Sequence, residues 1–208
     1  MHESWYNELQ DLFTNGIMDS IKRYIVQETC PKDPQNIFRI FEMPINDVKL
    51  CILGLSPYPN QNDATGIAFA VNRDDYNTWP FSLKIIADAI ASDYCDITYM
   101  PKHDLSDWTN QGVFLLNSAL TCNVGNPNVH IELWKPFTKR VIEILDANRI
   151  VFYLLGSEAK SYNNIIQYST VFESKHPARC AYSKEKFDSK FKNIADYMYS
   201  VDKTIIKW

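Results

Sequence analysis

The sequence lacks several features that define particular classes of protein, and each absence excludes one class. It has an odd number of cysteines and no Cys-x-x-Cys pair, which argues against a disulfide framework and against a zinc site. It has no basic amino-terminal segment followed by an apolar one, and no uninterrupted apolar run approaches membrane-spanning length. We therefore expect a metal-free protein that binds no membrane and is intracellular, in the cytoplasm or the nucleus.

Repeats, low-complexity tracts and Gly/Ser linkers are also missing, so nothing marks a boundary between two domains. With 208 residues and 46% hydrophobic composition, the chain is long enough to bury a sizeable core. We predict a single domain over residues 1–208. The 21 Lys and Arg residues are outnumbered by 25 Asp and Glu residues, which gives a net charge of -4. Affinity for nucleic acid would therefore require a local basic patch.

Short apolar runs alternate with amphipathic segments along the chain. The runs at residues 48–55, 112–120, 149–155 and 169–173 are typical of buried strands. Helical patterns are predicted at residues 81–92, 134–147, 158–166 and 184–199. Strands that alternate with helices form a parallel sheet with helices on both faces. The predicted fold class is therefore α/β, a three-layer α/β/α arrangement around a central four-stranded parallel sheet.

A polar residue lies near or just after the carboxyl end of each predicted strand. In chain order they are Ser56, Asn117, Ser157 and His176. In a parallel sheet these positions meet at the carboxyl edge, where ligands bind. Ser and Asn are also favoured at helix N-termini, so each residue taken alone is better explained as an ordinary cap. A carboxamide such as that of Asn117 needs partners for a donor and an acceptor, which suits the edge of a nucleobase.

Several motifs resemble those of one known family. The segments LGLSPYP at 53–59 and ATGIAFA at 64–70 resemble the Gly-Gln-Asp-Pro-Tyr-His motif of family 1 uracil-DNA glycosylases and its continuation. Further similar segments are WPFSL at 79–83, WTNQGVFLLN at 108–117, GSEAK at 156–160, the His-Pro pair at 176–177 and the terminal Lys-Trp. The resemblance spans nearly the whole chain. It implies the uracil-DNA glycosylase fold, DNA binding and a pocket for a base flipped out of the helix.

The resemblance assigns roles to the residues of the predicted pocket. Asn117 would hydrogen-bond to the edge of uracil, Phe69 would stack on the flipped base, and Leu55 would line the same pocket. Tyr58 would stand against the uracil C5 position and exclude thymine. His176 would donate a hydrogen bond to the uracil oxygen on which negative charge develops. The catalytic residues that the resemblance implies are His176, Ser56 and Asn117.

The resemblance also implies a surface that grips the DNA strand. The residues expected to contact DNA are Pro80, Ser82, Ser157, Pro177, Arg179 and Cys180. Arg179 and Cys180 stand where the family inserts a leucine, as a wedge, into the space that the flipped base leaves in the DNA base stack. Either Arg179 fills that space in this protein, or the wedge is weak. The expected partner is uracil-containing DNA, single-stranded or double-stranded. The resemblance suggests a monomer and implies no cofactor, and it leaves open whether a replication or processivity partner is engaged.

Ser56 is the largest departure from the family pattern. It stands where family 1 enzymes carry an aspartate that positions the attacking water and stabilises the cationic sugar, and a serine cannot act as a carboxylate. Leu55 and Pro59 replace a glutamine and a histidine of the same motif. A positioned general base contributes about 10²–10⁴-fold to the rate, so an otherwise intact pocket is expected to retain slower catalysis. Asp63 is the nearest acidic candidate, but it aligns outside the reaction centre.

Three hypotheses about function remain open. The first is an attenuated uracil-DNA glycosylase. The second is a catalytically inactive protein of this fold that binds DNA as a replication-associated or defence-related factor, which Ser56 and Leu55 favour. The third is hydrolysis of a modified pyrimidine, which Leu55 favours and which Tyr58 and Asn117 oppose. The sequence also leaves open whether some aromatic residues belong to a partner interface or to the core, namely Trp5, Tyr6, Tyr197 and Tyr199.

Overall fold

The computed structural model describes residues 1–26, 28–96 and 98–208. Within these ranges the α-helices are α1 (Glu3–Thr14), α2 (Ile17–Lys22), α3 (Phe81–Tyr94), α4 (Ser106–Thr109), α5 (Ile131–Ala147), α6 (Ser157–Ser161), α7 (Pro177–Ser183) and α8 (Phe191–Asp202). The strands are β1 (Thr29–Cys30), β2 (Leu50–Gly54), β3 (Val113–Asn117), β4 (Cys122–Asn123), β5 (Val151–Leu155) and β6 (Val171–Ser174). Short 3-10 helices cover Pro34–Glu42, Ile45–Asp47, Tyr76–Thr78 and Tyr162–Ile165.

Four parallel strands form the central sheet in the order β3-β2-β5-β6. Every residue of β2, β3 and β5 is buried, which explains why these strands are continuous apolar runs in the sequence. The register pairs Gly54 at the end of β2 with Asn117 at the end of β3. These two residues therefore meet at the carboxyl edge of the sheet. A smaller sheet pairs β1 with β4 in antiparallel orientation.

Two groups of helices flank the sheet. Helices α1 and α2 pack with α5, whereas α3 packs with α7 and α8. The apolar stripe of α5 buries Phe137, Val141 and Leu145, as expected for a helix that covers a sheet on one side. The predicted α/β fold with a central four-stranded parallel sheet is confirmed. Among the helices described, none is both long enough and apolar enough to cross a membrane.

The carboxyl-terminal helices differ from the prediction at 184–199. The helix there begins only at Phe191, and the unpredicted α7 precedes it. Lys184 ends α7 in the left-handed conformation, with φ of 55°, so the chain cannot continue as one helix. The next residues are held by a long-range contact in which the Ser174 hydroxyl donates to the Asp188 carbonyl. The predicted helix at 158–166 is also shorter, because α6 gives way to a 3-10 turn after Ser161.

The amino-terminal helices were not predicted, and they contribute to the core. Trp5 on α1 is fully buried. Its Nε1 donates to the Met43 carbonyl at 2.7 Å, and its ring stacks on Phe114 of β3 with centroids 5.1 Å apart. Trp5 therefore belongs to the core, whereas Tyr6 and Tyr199 are half exposed.

Candidate active site

A cavity of about 520 Å³ opens at the carboxyl edge of the sheet, where parallel α/β sheets bind their ligands. Its walls come from the loop after β2, the end of β3, the first turn of α3 and the segment around α7. The predicted site residues that line it are Leu55, Ser56, Tyr58, Phe69, Pro80, Ser82, Asn117, His176 and Arg179. Three predicted DNA contacts, Ser157, Pro177 and Cys180, lie outside these walls.

Asn117 and Phe69 reach the cavity through space that Gly54 leaves open. A Cβ atom at position 54 would lie 3.0 Å from Asn117 Oδ1 and 3.0 Å from Phe69 Cζ. Asn117 is 8% exposed, and its carboxamide makes no hydrogen bond within the part of the chain that the structure describes. A nearly buried carboxamide with an unused donor and acceptor favours a polar ligand at this point. Phe69 has a φ of 67°, a strained conformation for a bulky residue that is typical of functional positions.

Tyr58 is held against the cavity wall by two hydrogen bonds. Its hydroxyl donates to the Phe69 carbonyl at 3.1 Å and lies 2.9 Å from Ser82 Oγ. Since Tyr58 has a single proton to donate, Ser82 is the donor in the second bond. Burial raises the pKa of Tyr58 far above its ordinary value, so the phenol stays neutral. Ser82 is 3% exposed and its hydroxyl supports Tyr58, whereas its contact with a DNA phosphate stays a prediction.

His176 lies at the N-terminus of α7, directly after the last strand and turn. Its Nδ1 accepts a hydrogen bond from the Ala178 N–H at 3.3 Å. Burial lowers the pKa of His176 from 6.5 to about 4, so the ring is neutral at physiological pH. Because Nδ1 is an acceptor, the proton of the neutral ring is assigned to Nε2, which can donate to a ligand. Gly156 permits this position, since a Cβ atom there would lie 2.9 Å from His176 Cβ.

Ser56 is half-buried at the start of the loop after β2 and brings a neutral hydroxyl to the cavity. None of the described residues that line the cavity is Asp or Glu. Asp63 lies outside the lining and is bound to Arg73, with Oδ2 2.7 Å from Nη2. Burial raises the pKa of Asp63, and Arg73 opposes that shift. The cavity therefore offers hydrogen-bond donors and apolar walls but no carboxylate of its own.

Comparison with known proteins places this chain in a family. The family model for the uracil DNA glycosylase superfamily matches residues 41–198, most of the chain. The chain belongs to this superfamily. The matched region includes every residue that lines the cavity. The prediction of uracil-DNA glycosylase resemblance is thus confirmed at the level of the family.

Individual uracil-DNA glycosylases align over the full length of the chain. The enzyme of Borrelia duttonii is 34% identical, and the alignment covers 100% of this chain and 98% of the relative. The enzyme of Streptococcus gordonii is 31% identical, again over 100% of this chain and 98% of the relative. Among solved structures, mimivirus uracil-DNA glycosylase superposes with a TM-score of 0.85 at 22% identity, covering 100% of this chain and 87% of that one. This structural likeness confirms the glycosylase fold.

Arg179 and Cys180, the two residues expected at the position of the DNA wedge, differ in exposure. Arg179 is exposed and lines the cavity. Cys180 is 2% exposed and belongs to the hydrophobic core, so its side chain is buried and not presented at the surface. Pro177 is buried as the first residue of α7. Ser157 is exposed at the start of α6 and is not among the lining residues of the cavity, so its contact with a phosphate stays a prediction.

Among the cavity residues that were given no role from the sequence, two are large and exposed aromatic residues, Phe81 and Tyr182. Phe81 opens α3 but lies off the buried stripe formed by Leu83, Ile86 and Ile90. This offset was visible in the sequence, because an aromatic residue outside the apolar stripe of a helix faces solvent or a ligand. Tyr182 gave no such signal, since α7 itself was not predicted.

Proposed function

We propose that this protein is a monofunctional uracil-DNA glycosylase. It flips uracil out of DNA and hydrolyses the N-glycosidic bond, leaving an abasic site, at a rate lowered by the missing carboxylate. The observation that best supports this function concerns the Asn117 carboxamide. It is nearly buried, has no hydrogen bond among the described residues and faces a cavity walled by aromatic rings. Membership of the glycosylase superfamily and full-length relatives named uracil-DNA glycosylase support the same activity.

Asn117 selects uracil over cytosine by hydrogen bonding. Its amide group donates to uracil O4 while Oδ1 accepts from the N3–H. Cytosine carries a donor and an acceptor in the opposite places, so with the carboxamide in this orientation it would leave both amide groups unsatisfied. An unsatisfied buried polar group costs about 1–3 kcal/mol, which is enough to reject the normal base.

Tyr58 excludes thymine by steric contact. Its ring is fixed by the hydrogen bonds to the Phe69 carbonyl and to Ser82, so it has little freedom to move away from a methyl group at C5. Discrimination of this kind acts by repelling the wrong base. It complements the hydrogen bonding of Asn117, which does not distinguish uracil from thymine.

His176 stabilises the departing base. As the bond between C1′ and N1 breaks, its electron pair passes to the uracil ring and negative charge accumulates on O2. The neutral imidazole donates to that oxygen through Nε2–H, which is electrostatic stabilisation by a preorganised donor. Water adds to the cationic sugar at C1′ and releases its proton to solvent. Since the described cavity lining holds no carboxylate to stabilise the sugar cation or accept that proton, we expect a rate about 10²–10⁴-fold below that of an enzyme with such a group.

We also propose that the protein acts as a monomer inside the cell. One chain supplies all the groups that the reaction uses, and the substrate is intracellular DNA. The second candidate function, DNA binding without hydrolysis, is favoured by a single observation, the lack of an acidic residue among the described residues of the cavity wall.

The decisive experiment is prolonged incubation of excess protein with a uracil-containing oligonucleotide, followed by alkaline cleavage at abasic sites. We expect slow cleavage by the wild type, none by Asn117→Ala, and a rate about 10²–10⁴-fold higher for Ser56→Asp. Ser200→Asp adds the same charge at an exposed position of α8 outside the cavity and should change nothing. Binding without cleavage by both the wild type and Ser56→Asp would favour the second candidate function.

A further inference from the structure

Two large aromatic side chains stand exposed at the mouth of the cavity. Phe81 on α3 is 61% exposed and Tyr182 on α7 is 80% exposed, and both line the cavity. Their ring centroids lie 6.5 Å apart with 70° between the ring planes. This edge-to-face geometry is one that aromatic rings prefer, so each ring orients the other. Phe81 and Tyr182 together form the aromatic pair.

The aromatic pair does not fill the core. The buried side of α3 is formed by residues other than Phe81, and α7 buries Pro177 and Cys180 while Tyr182 stays in solvent. Scattered single apolar residues on a surface need no explanation, but two adjoining rings at the rim of a binding cavity mark a contact surface. Something that enters the cavity passes directly beside them.

We propose that the aromatic pair stacks on the unpaired base next to the extruded uridine, and that these two rings determine how strongly the protein prefers single-stranded to duplex DNA. This inference rests on the proposed function, in which the cavity takes a flipped base. Every base offers a π face, so stacking on protein rings does not depend on sequence. In a duplex the flanking bases are already stacked on their neighbours and must leave them first, whereas in a single strand they are free to bind.

Arg179 supplies a positive charge next to the aromatic pair, where the DNA backbone would lie. It precedes Tyr182 by three residues on α7, a spacing that brings the two side chains to the same face of the helix. It is exposed and lines the cavity. A cation beside stacked bases binds the phosphate that links them, as in other single-strand binding grooves.

The first test is fluorescence anisotropy with a uracil oligonucleotide in single-stranded and duplex form. We expect Phe81→Ala and Tyr182→Ala each to weaken single-strand binding about tenfold, with less than twofold change on the duplex. Tyr168→Ala is the matched control, because Tyr168 is 63% exposed and its N–H donates to Asp146, away from the cavity. Equal losses on both substrates, or no loss on the single strand, would overturn the proposal.

The second test observes stacking directly. 2-Aminopurine is placed next to the uracil of the single strand, and its fluorescence is followed on binding. We expect quenching by the wild type and by Tyr182→Phe, and loss of quenching in the double variant with Phe81→Ala and Tyr182→Ala. If quenching survives in the double variant, the aromatic pair does not stack on the base, and this conclusion holds even if uracil is hydrolysed. If quenching depends on the two rings but the protein releases no uracil, stacking by the aromatic pair is supported. Hydrolysis would then be removed from the proposed function.

Discussion

At the scale of single residues, the pocket depends on what Gly54 lacks. The carboxamide of Asn117 and the ring of Phe69 both occupy space beside its Cα, and a Cβ atom would come within 3.0 Å of each. Gly54 also pairs directly with Asn117 in the sheet register, so neither strand can shift to relieve the contact. The close approach of Asn117 and Phe69 therefore requires glycine at this position.

We predict that Gly54→Ala lowers kcat/KM for uracil-DNA by about 10–100-fold, because overpacking displaces Asn117 and Phe69 from the base. Oligonucleotide cleavage at several substrate concentrations measures this. Gly16→Ala serves as the control: its φ of 82° makes it strained, but no atom lies within 4 Å of the added Cβ. It should lose about 1 kcal/mol of stability and keep full activity. Normal activity in Gly54→Ala would contradict the geometry of the pocket.

His176 links the site to the pH dependence of stability. Its pKa in the folded protein is about 4, against 6.5 for the ordinary group, because burial disfavours the charged form. The unfolded chain therefore binds the proton more tightly than the folded chain. The resulting stabilisation is complete above pH 6.5 and is lost as the pH falls from 6.5 towards 4.

We expect His176→Asn to remove this dependence. Urea unfolding at pH 7 and pH 4.5 should show that the wild type loses about 2 kcal/mol more than the variant between the two pH values, the amount that a shift of this size produces. Other titrating groups contribute equally to both proteins and cancel in the difference. Parallel losses in the two proteins would mean that His176 titrates near its ordinary pKa.

At the scale of elements, α1 shows how an unpredicted helix supports the site. Trp5 stacks on Phe114 of β3, the strand that ends in Asn117, and meets Phe41 edge-on with centroids 5.2 Å apart. Helix α1 is thus packed against the strand that carries Asn117. Truncation of a buried Trp costs about 3–5 kcal/mol.

Trp5→Ala should therefore lower the free energy of unfolding by about 3–5 kcal/mol, measured by urea denaturation followed by circular dichroism. Tyr6→Ala, at the neighbouring and half-exposed position, should change it by less than about 0.5 kcal/mol. Similar effects from both variants would show that α1 is not docked on the sheet as described.

The elements predicted correctly are those whose pattern is local. Strands β2, β3 and β5 are apolar on both faces, and the sequence of each reveals this without knowledge of its neighbours. The segment after Lys184 is different, because its path depends on the contact between Ser174 and Asp188. No helical or strand periodicity encodes such a contact. The predicted helix over 184–199 was therefore wrong in its first part, and α7 was missed.

The candidate site divides in the same way. Asn117, Tyr58 and His176 were found because each lies in a motif at the end of a strand, and they do line one cavity; their catalytic roles remain predictions. The burial of Cys180 and the exposure of Tyr182 depend on the rotation of α7, which a sequence without a predicted helix cannot give.

At the scale of the whole molecule, charge limits how the protein holds DNA. The net charge is -4, and Arg179 is the single Lys or Arg among the described residues of the cavity lining. The nearby Lys175 is paired with Glu185, so part of its charge is already neutralised. Binding must then draw more on stacking and base recognition than on phosphate contacts, in contrast to proteins with a broad basic surface.

We therefore predict a weak salt dependence of DNA binding. For a single strand the slope of log Kobs against log salt is about -0.7 for each phosphate neutralised, so one or two contacts give a slope of about -1. Arg179→Gln should reduce its magnitude by about 0.7, whereas Lys22→Gln on α2, where Lys22 is paired with Asp19, should leave it unchanged. Anisotropy titrations from 50 to 200 mM salt measure both slopes. A slope of about -4 or steeper that Arg179→Gln leaves unchanged would mean that DNA binds chiefly to a basic surface away from the cavity mouth.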